Sequence, residues 1–575
     1  MKNGEKKKTI GLVLEDAHSD FSKSIIHSVV HAMMNRKDLK LIVVPGRQDV
    51  DEVTVLSEDI VHRYKRMYNL IYKINGNIHF DGLIFTLPNY RPFQDDIFGN
   101  VPKVFVATTS DKEVTVNYND EMGIREAIDY LVKIKGVTKI CMIGGRDENA
   151  DAQKRKSIFV KCLEDNGLIY NDLMYEKSDM SENSHAAAAK LLKNNPDAQA
   201  VFCVNDPTAC GLYDVMRKKG LIPGKDIYVF GFDNASMAGN MVPPLASIGC
   251  EGVTLGQKAL EMLLDMMSGK KVTSDVVPTR LFGRESFDYD MYDFSVKEMI
   301  SVDSAFIYRF FDKCFYRYRN EVVDPKEINL RRLFYEIISR MLKAMKNRYM
   351  SEEQFEEIRR LIDILFDNRI MMYTDANRFV RSLTILQNSM NEIQKAVHII
   401  SGNNRLFSYM KDKAIHAQAL RRNIESRGYI SGRNNLFDFL VSVTRYEEPG
   451  EGALNRLIEN FDKLGFINCA LYLYDEPYKC DFDSEITLPE RLNLKCVIKG
   501  GEFYRIPKDR QSCLVENIFN RGELAATKKG YISYPLFYSD YLFGILVCGV
   551  TRELAETGEF ITSQLGRAIY LNWIG

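Results

Sequence analysis

Long apolar runs are missing. No stretch approaches the roughly 20 residues that a membrane-spanning helix needs, so a helical membrane protein is excluded. Paired cysteines are missing too. The 11 cysteines stand singly, with no CxxC pair and an odd total, which argues against a disulfide framework and a structural zinc site and points to a reducing compartment. Charge of one sign is not in excess: 77 Lys and Arg against 78 Asp and Glu leave a net charge of -1, so bulk electrostatics make no case for nucleic acid or an anionic membrane. A secretory leader is not expected. Met1–Lys8 is basic, but the TIGLVL run behind it ends at Glu15 and Asp16 after about six residues, too short for the apolar core of a leader. The expectation is a cytoplasmic protein.

Catalytic signatures are equally sparse. HSVVH puts His27 and His31 one helical turn apart, but it lacks the glutamate of a zinc protease and shares a helix whose apolar face is Ile26, Val30 and Met33. SGKK at Ser268–Lys271 follows a helix and lacks the upstream glycine of a phosphate loop. There is no GxSxG, no GxGxxG behind a strand and no Cys/His dyad. The chain therefore reads as a non-enzyme, with no metal and no cofactor.

What is present falls into three regions. A chain of 575 residues is too long for one ordinary domain. From residue 9 to about 287, short β-like runs (TIGLVL, LKLIVVPG, FDGLIFT, KVFVA, TKICMIGG, QAVFCVN, DIYVFGF) alternate with amphipathic helical stretches. This is the pattern of parallel sheets covered on both faces. The number of units predicts two α/β lobes, roughly 9–135 and 138–287. From 288 to 432 Gly and Pro nearly vanish, and apolar residues recur at three and four, as in Phe379, Leu383 and Leu386, predicting a helical stalk or bundle. From 433 to 575 strands return in an α+β pattern, with a hairpin across Ser539-Asp540. A closing helix there puts Phe560, Ile561, Leu565, Ala568 and Ile569 on one face.

Chemistry gathers at two strand ends. VFCV runs into Asn205 and Asp206, and IYVFGF into Asp233 and Asn234. Consecutive parallel strands present their carboxyl ends on one edge, where open α/β sheets bind ligands. Carboxylates and amides there suit a ligand with several hydroxyls. The competing reading is helix capping, and Asp206 in particular is also a candidate N-cap.

The order of motifs resembles the effector-binding domain of the LacI/GalR repressors, a type I periplasmic-binding-protein fold. The resemblance rests on FDGLIF, VNYNDEMGIREAIDYLV, TKICMIGGRDENADAQKRKSIF, VFCVNDPTACG, VFGFDN, PPLASI and TLGQKALEMLLDMMSGK. It implies ligand contacts from Arg155, Asn205 and Asp233. Phe21 stands where the family often stacks an aromatic on a sugar, and it is equally a core residue. Asn89 and Tyr90 are further candidates. Cys250 replaces a glutamine common in the family, and Ile158 a glycine. The helix-turn-helix headpiece of such repressors is not found ahead of Thr9. The basic stretch Lys411–Arg427 reads as a solvated helix face.

In the C-terminal region ISYPLFYSDYLFGILVCG with its closing helix resembles a GAF-type sensory domain. The whole arrangement resembles the input half of bacterial signalling proteins that end in a GGDEF cyclase, a motif this chain does not contain. The expectation is a ligand sensor for a sugar-like metabolite, homodimeric, relaying lobe closure through the stalk to the GAF-like domain and on to a separate output protein. Direct DNA binding and membrane association are not expected. A LacI-like transcriptional regulator and a cyclase-type protein without its output domain are the alternatives.

Overall fold

The computed structural model describes residues 7–34, 36–47, 58–86, 97–108, 110, 112–147, 149–235, 237–250, 253–287, 303–315, 318, 328–347, 349–374, 376–393, 397–444, 461–524, 527 and 530–574. Two parallel sheets form the first half. In the first lobe β2 (Leu39–Pro45), β1 (Lys8–Leu14), β3 (Gly82–Phe85), β4 (Lys103–Val106) and β5 (Thr115–Asn119) lie side by side. In the second, β7 (Tyr175–Lys177), β6 (Ile140–Gly144), β8 (Ala200–Cys203), β9 (Tyr228–Phe232) and β10 (Ala246–Cys250) do so. Their apolar runs are buried on both faces, as crossover helices demand.

The lobes are not the sequential halves 9–135 and 138–287. The chain crosses over at Asn119: α4 (Asp120–Lys133) packs Ile124, Ala127, Ile128 and Leu131 into the second core. It returns after β10, where α8 (Leu255–Met267) packs on α1 (Asp20–Met33) in the first lobe. β11 (Asp275–Phe282) then serves both sheets. Asp275–Pro278 run parallel to β5, and Thr279–Phe282 antiparallel to β10. Only a few backbone segments therefore bridge the two separate cores.

The middle region is a bundle. Its helices are Ser304–Cys314, Leu330–Lys346, Glu352–Asp367, Ala376–Ile393 and the first part of a 48-residue helix, Val397–Thr444. Their apolar stripes meet in a core of their own that includes Phe311, Phe334, Ile362, Phe379 and Met410. The boundary expected at 432 falls inside the long helix, whose Phe439 and Val443 join the core of the C-terminal domain.

That domain is an antiparallel sheet in which β13 (Arg491–Lys499), β12 (Cys469–Lys479), β17 (Tyr541–Gly549) and β16 (Tyr531–Tyr538) are neighbours. The expected hairpin is present, with Ser539 at φ 52°. The closing helix (Arg552–Ile574) buries Ile561, Leu565 and Ala568, whereas Phe560 is 44% exposed, so its place on the buried face is corrected.

The domain does not sit apart at the end of a stalk. Strand β16 pairs in parallel with β2, Tyr531 opposite Ile42 and Ile532 opposite Val43, and continues the first-lobe sheet. One apolar core runs through both. Polar contacts fix the join: Lys40 donates to the Phe519 carbonyl at 2.6 Å, Arg47 to Glu559 at 2.6 Å, and the Asn75 amide to Ser533 at 3.2 Å.

Candidate functional site

The site candidates collect where strands of the second lobe end. α5 (Ala150–Asp165) starts behind β6, capped by Asn149, whose side chain accepts from the Ala152 amide. Its second turn delivers Arg155 inward, 4% exposed, rather than outward as a solvated helix arginine. The guanidinium stacks 3.6 Å above the Phe232 ring. It donates to the Val204 carbonyl at 2.7 Å and to Asp120 at 3.3 Å, and lies 3.6 Å from Asp233. Burial works against its charge, but Asp233, Asp120 and Asp151 more than offset that and hold its pKa above the ordinary value.

Asp233 follows the last residue of β9 in a left-handed conformation, φ 96°, and Asn234 comes next at φ 48°. Two consecutive left-handed residues without glycine are strained, and such strain persists only where the surroundings over-determine it. Here they do. The Asp233 amide donates to the Ile248 carbonyl, the Asn234 amide to Ser247 Oγ, and the Ala235 amide to Asp206. A quarter of the Asp233 side chain remains exposed. Burial raises its pKa against the pull of Arg155, with Asp151, Asp120 and Asp20 adding to the rise. Asp20 belongs to α1 of the first lobe, so a charge of that lobe also acts on this carboxylate.

The strand-end amide and acid divide their work differently from the expectation. Asn205, not Asp206, caps α7 (Asp206–Lys218): its oxygen accepts from the Thr208 amide at 3.0 Å, while its nitrogen donates to the Met180 carbonyl at 2.9 Å. Asp206 is wholly buried beneath the strand ends. It accepts from Ser247 Oγ at 2.5 Å and from the Ala235 amide at 2.7 Å, and burial, then Asp233, push its pKa well up. In this conformation both side chains hold the protein's own loops and helix start at the strand ends.

Phe21 lies in the first turn of α1, partly buried against the first-lobe core. Cys250 ends β10, half-buried, with Tyr118 in electrostatic reach. Asn89 and Tyr90 lie outside the described residues. His27 and His31 stack at 6.1 Å on the exposed side of α1, and Ile26, Val30 and Met33 are buried. Beside the strand ends an open depression of about 490 Å³ is lined by Arg146, Asp147, Lys177, Ser178, Asp179 and Asn183.

Sequence reasoning missed Asp120, Asp151, Tyr118 and this depression. β5 is the reason for two of them. TVNYN is short and polar and does not read as a strand, yet as one it carries Tyr118 and delivers Asp120 to the same edge as Asp233. Tyr118 packs edge-on to Phe232 at 5.6 Å.

Residues 128–287 match the family model of a periplasmic binding protein-like domain. The chain is 31% identical over 182 residues to the HTH-type transcriptional repressor PurR of Vibrio vulnificus, an overlap of 31% of this chain and 53% of that protein. It is 25% identical over 271 residues to the HTH-type transcriptional repressor CytR of Escherichia coli, covering 46% of this chain and 75% of the relative. Among solved structures, the transcriptional regulator CelR in complex with cellobiose aligns over 49% of this chain and 86% of its own, at 20% identity and a TM-score of 0.41. The chain spans about half the length of the first PurR relatives it matches. Residues 128–287 thus carry a periplasmic-binding-protein-like domain, and the first half of the molecule resembles the matching part of the PurR and CytR repressors. No described helix is long and apolar enough to cross a membrane.

Proposed function

We infer that the chain is a regulatory ligand sensor whose cleft, between the Asp20 end of α1 and the strand ends at Asp233, holds a small hydroxyl-rich metabolite. The observation that carries this is the Arg155–Asp233 pair. A carboxylate partly open to solvent is aimed by a buried, stacked guanidinium and set on a strained backbone that the fold holds in place. Such a carboxylate accepts hydrogen bonds from vicinal hydroxyls, and lobe closure around the ligand supplies the conformational signal. In this reading Asp233 touches the ligand and Arg155 positions Asp233. The GAF-like C-terminal domain receives the change and passes it to a separate output protein, and the working assembly is a homodimer in a reducing cytoplasm.

The names of the relatives favour a second reading, a transcriptional regulator acting on DNA directly or through a partner. Steep salt dependence of binding to duplex DNA would support it.

The test is a thermal-shift screen of sugars, nucleosides and amino acids on the full chain and on Asp233→Ala. A ligand at 100 times its Kd adds about 2.7 kcal/mol to the state that binds it. Stabilisation of the wild type but not of Asp233→Ala is the expected result. A ligand that stabilises both equally binds elsewhere and overturns the assignment.

A further inference from the structure

The segment that leaves the second lobe is tied to the cleft wall on one side and to the helical bundle on the other. Arg284 is 1% exposed and is the largest fully buried side chain in the described residues. Its guanidinium donates to the Leu245 carbonyl at 2.7 Å and to the side-chain oxygen of Asn234, also at 2.7 Å. Asn234 is the second of the two left-handed residues that set Asp233 into the cleft. One residue before Arg284, the Gly283 carbonyl accepts from Arg378 at 3.3 Å. Arg378 belongs to the bundle helix Ala376–Ile393, and its Nε also donates to the Lys313 carbonyl at 3.3 Å, at the end of the bundle's first helix.

We propose that Asn234, Arg284 and Arg378 couple the ligand cleft to the bundle, so that the position of the Asp233 strand end and the seating of the bundle on the second lobe depend on each other. Arg284 is a positioning residue. It satisfies a loop carbonyl and the side chain of a left-handed residue at once, and its backbone adjoins Gly283, whose carbonyl accepts from Arg378. Coupling of this kind is reciprocal by linkage. A disturbance applied at the bundle must therefore appear at the cleft, whatever the ligand is. The functional meaning rests on the reading of this edge as the ligand cleft, but the test below involves no ligand and fails independently of that reading.

The experiment is amide hydrogen exchange on the full chain carrying Arg378→Met. The reporters are the amides of Asp233, Asn234 and Ala235, each bonded to a named acceptor. The expected result is several-fold faster exchange at these amides, with β6 and β8 unchanged. Arg405→Met is the control, since among the described residues Arg405 pairs with Glu352 and the Phe355 ring, both within the bundle. It should leave the reporters at the wild-type rate. Arg284→Lys, which keeps the charge but not the two-pronged geometry, should speed exchange both at the reporters and at the end of the 304–314 helix. Exchange altered only within the bundle by Arg378→Met, or altered equally by the Arg405 control, overturns the proposal.

Discussion

Three aspartates under and around the strand ends, Asp206, Asp233 and Asp151, all have pKa values raised by burial first. The sign of their effect on stability follows. A carboxylate whose folded-state pKa lies above its unfolded value binds its proton more tightly when folded. Its ionised form therefore costs stability, and that cost disappears as the pH falls through the folded value towards the ordinary carboxylate range. Asp206 gives the cleanest case because it is fully buried. We expect the stability of wild type relative to Asp206→Asn to rise as the pH is lowered towards the ordinary carboxylate range, measured by denaturant unfolding of both proteins at each pH. A flat difference would mean that Asp206 keeps its charge at no cost, held by Ser247 and the Ala235 amide alone. Truncation to Ala removes both bonds and should cost about 1–3 kcal/mol at the low-pH end, where the carboxyl carries its proton.

At the scale of elements, the decisive contact is β2 against β16, and one glycine permits it. Gly530 has φ 94°, and a Cβ there would lie 2.7 Å from Leu41 Cβ and 2.8 Å from the Leu41 carbonyl oxygen. Gly530→Val should open the join, expose Ile42 and Val43 to amide exchange and enlarge the molecule in small-angle scattering. Gly501→Val separates strain from contact, since Gly501 has φ 90° but its nearest neighbour stands 3.6 Å off. It should leave the join intact. This element also shows what was legible in the sequence. The strands from TIGLVL to DIYVFGF, the helices between them and the 531–549 hairpin are readable, because apolar period and turn residues are local signals. That Asn205 and Asp233 share one edge follows from strand order, whereas Arg155 is a candidate there only through the LacI/GalR resemblance. Nothing local says that β16 docks on β2, since both strands are apolar on both faces and would read the same in separate domains. The lobe crossings at Asn119 and within β11 were hidden for a related reason: a crossing is set by which core a helix joins, not by its own sequence. Asn205 was read towards the ligand because its cap partners Thr208 and Met180 are found only in three dimensions.

On the scale of the whole molecule, these contacts close a ring. The C-terminal domain is joined to the first lobe, the bundle rests on the second lobe through Arg378, and the long helix Val397–Thr444 links bundle to C-terminal domain. Between Ala414, in the bundle core, and Phe439, in the C-terminal core, that helix crosses with Ile415, Leu420 and Ile424 more than half exposed. Some 25 residues at 1.5 Å each make a strut of roughly 37 Å. Any change in the angle between the lobes must then bend, tilt or slide this strut, because its two ends are anchored to different lobes. Leu420→Pro should break it: proline in a helix interior costs about 3 kcal/mol and kinks the axis. Neither core includes Leu420, so both should survive. The single tryptophan, Trp573, reports on one of them, packed against Tyr541 at 5.2 Å and Tyr570 at 6.1 Å. We expect the unfolding midpoint followed by Trp573 emission to stay at its wild-type value while the scattering profile changes shape. A lowered Trp573 midpoint would show that the C-terminal domain leans on the strut for its own stability. An unchanged profile would show that the two anchors, not the helix, fix the arrangement, and the ring would then carry no signal through the strut.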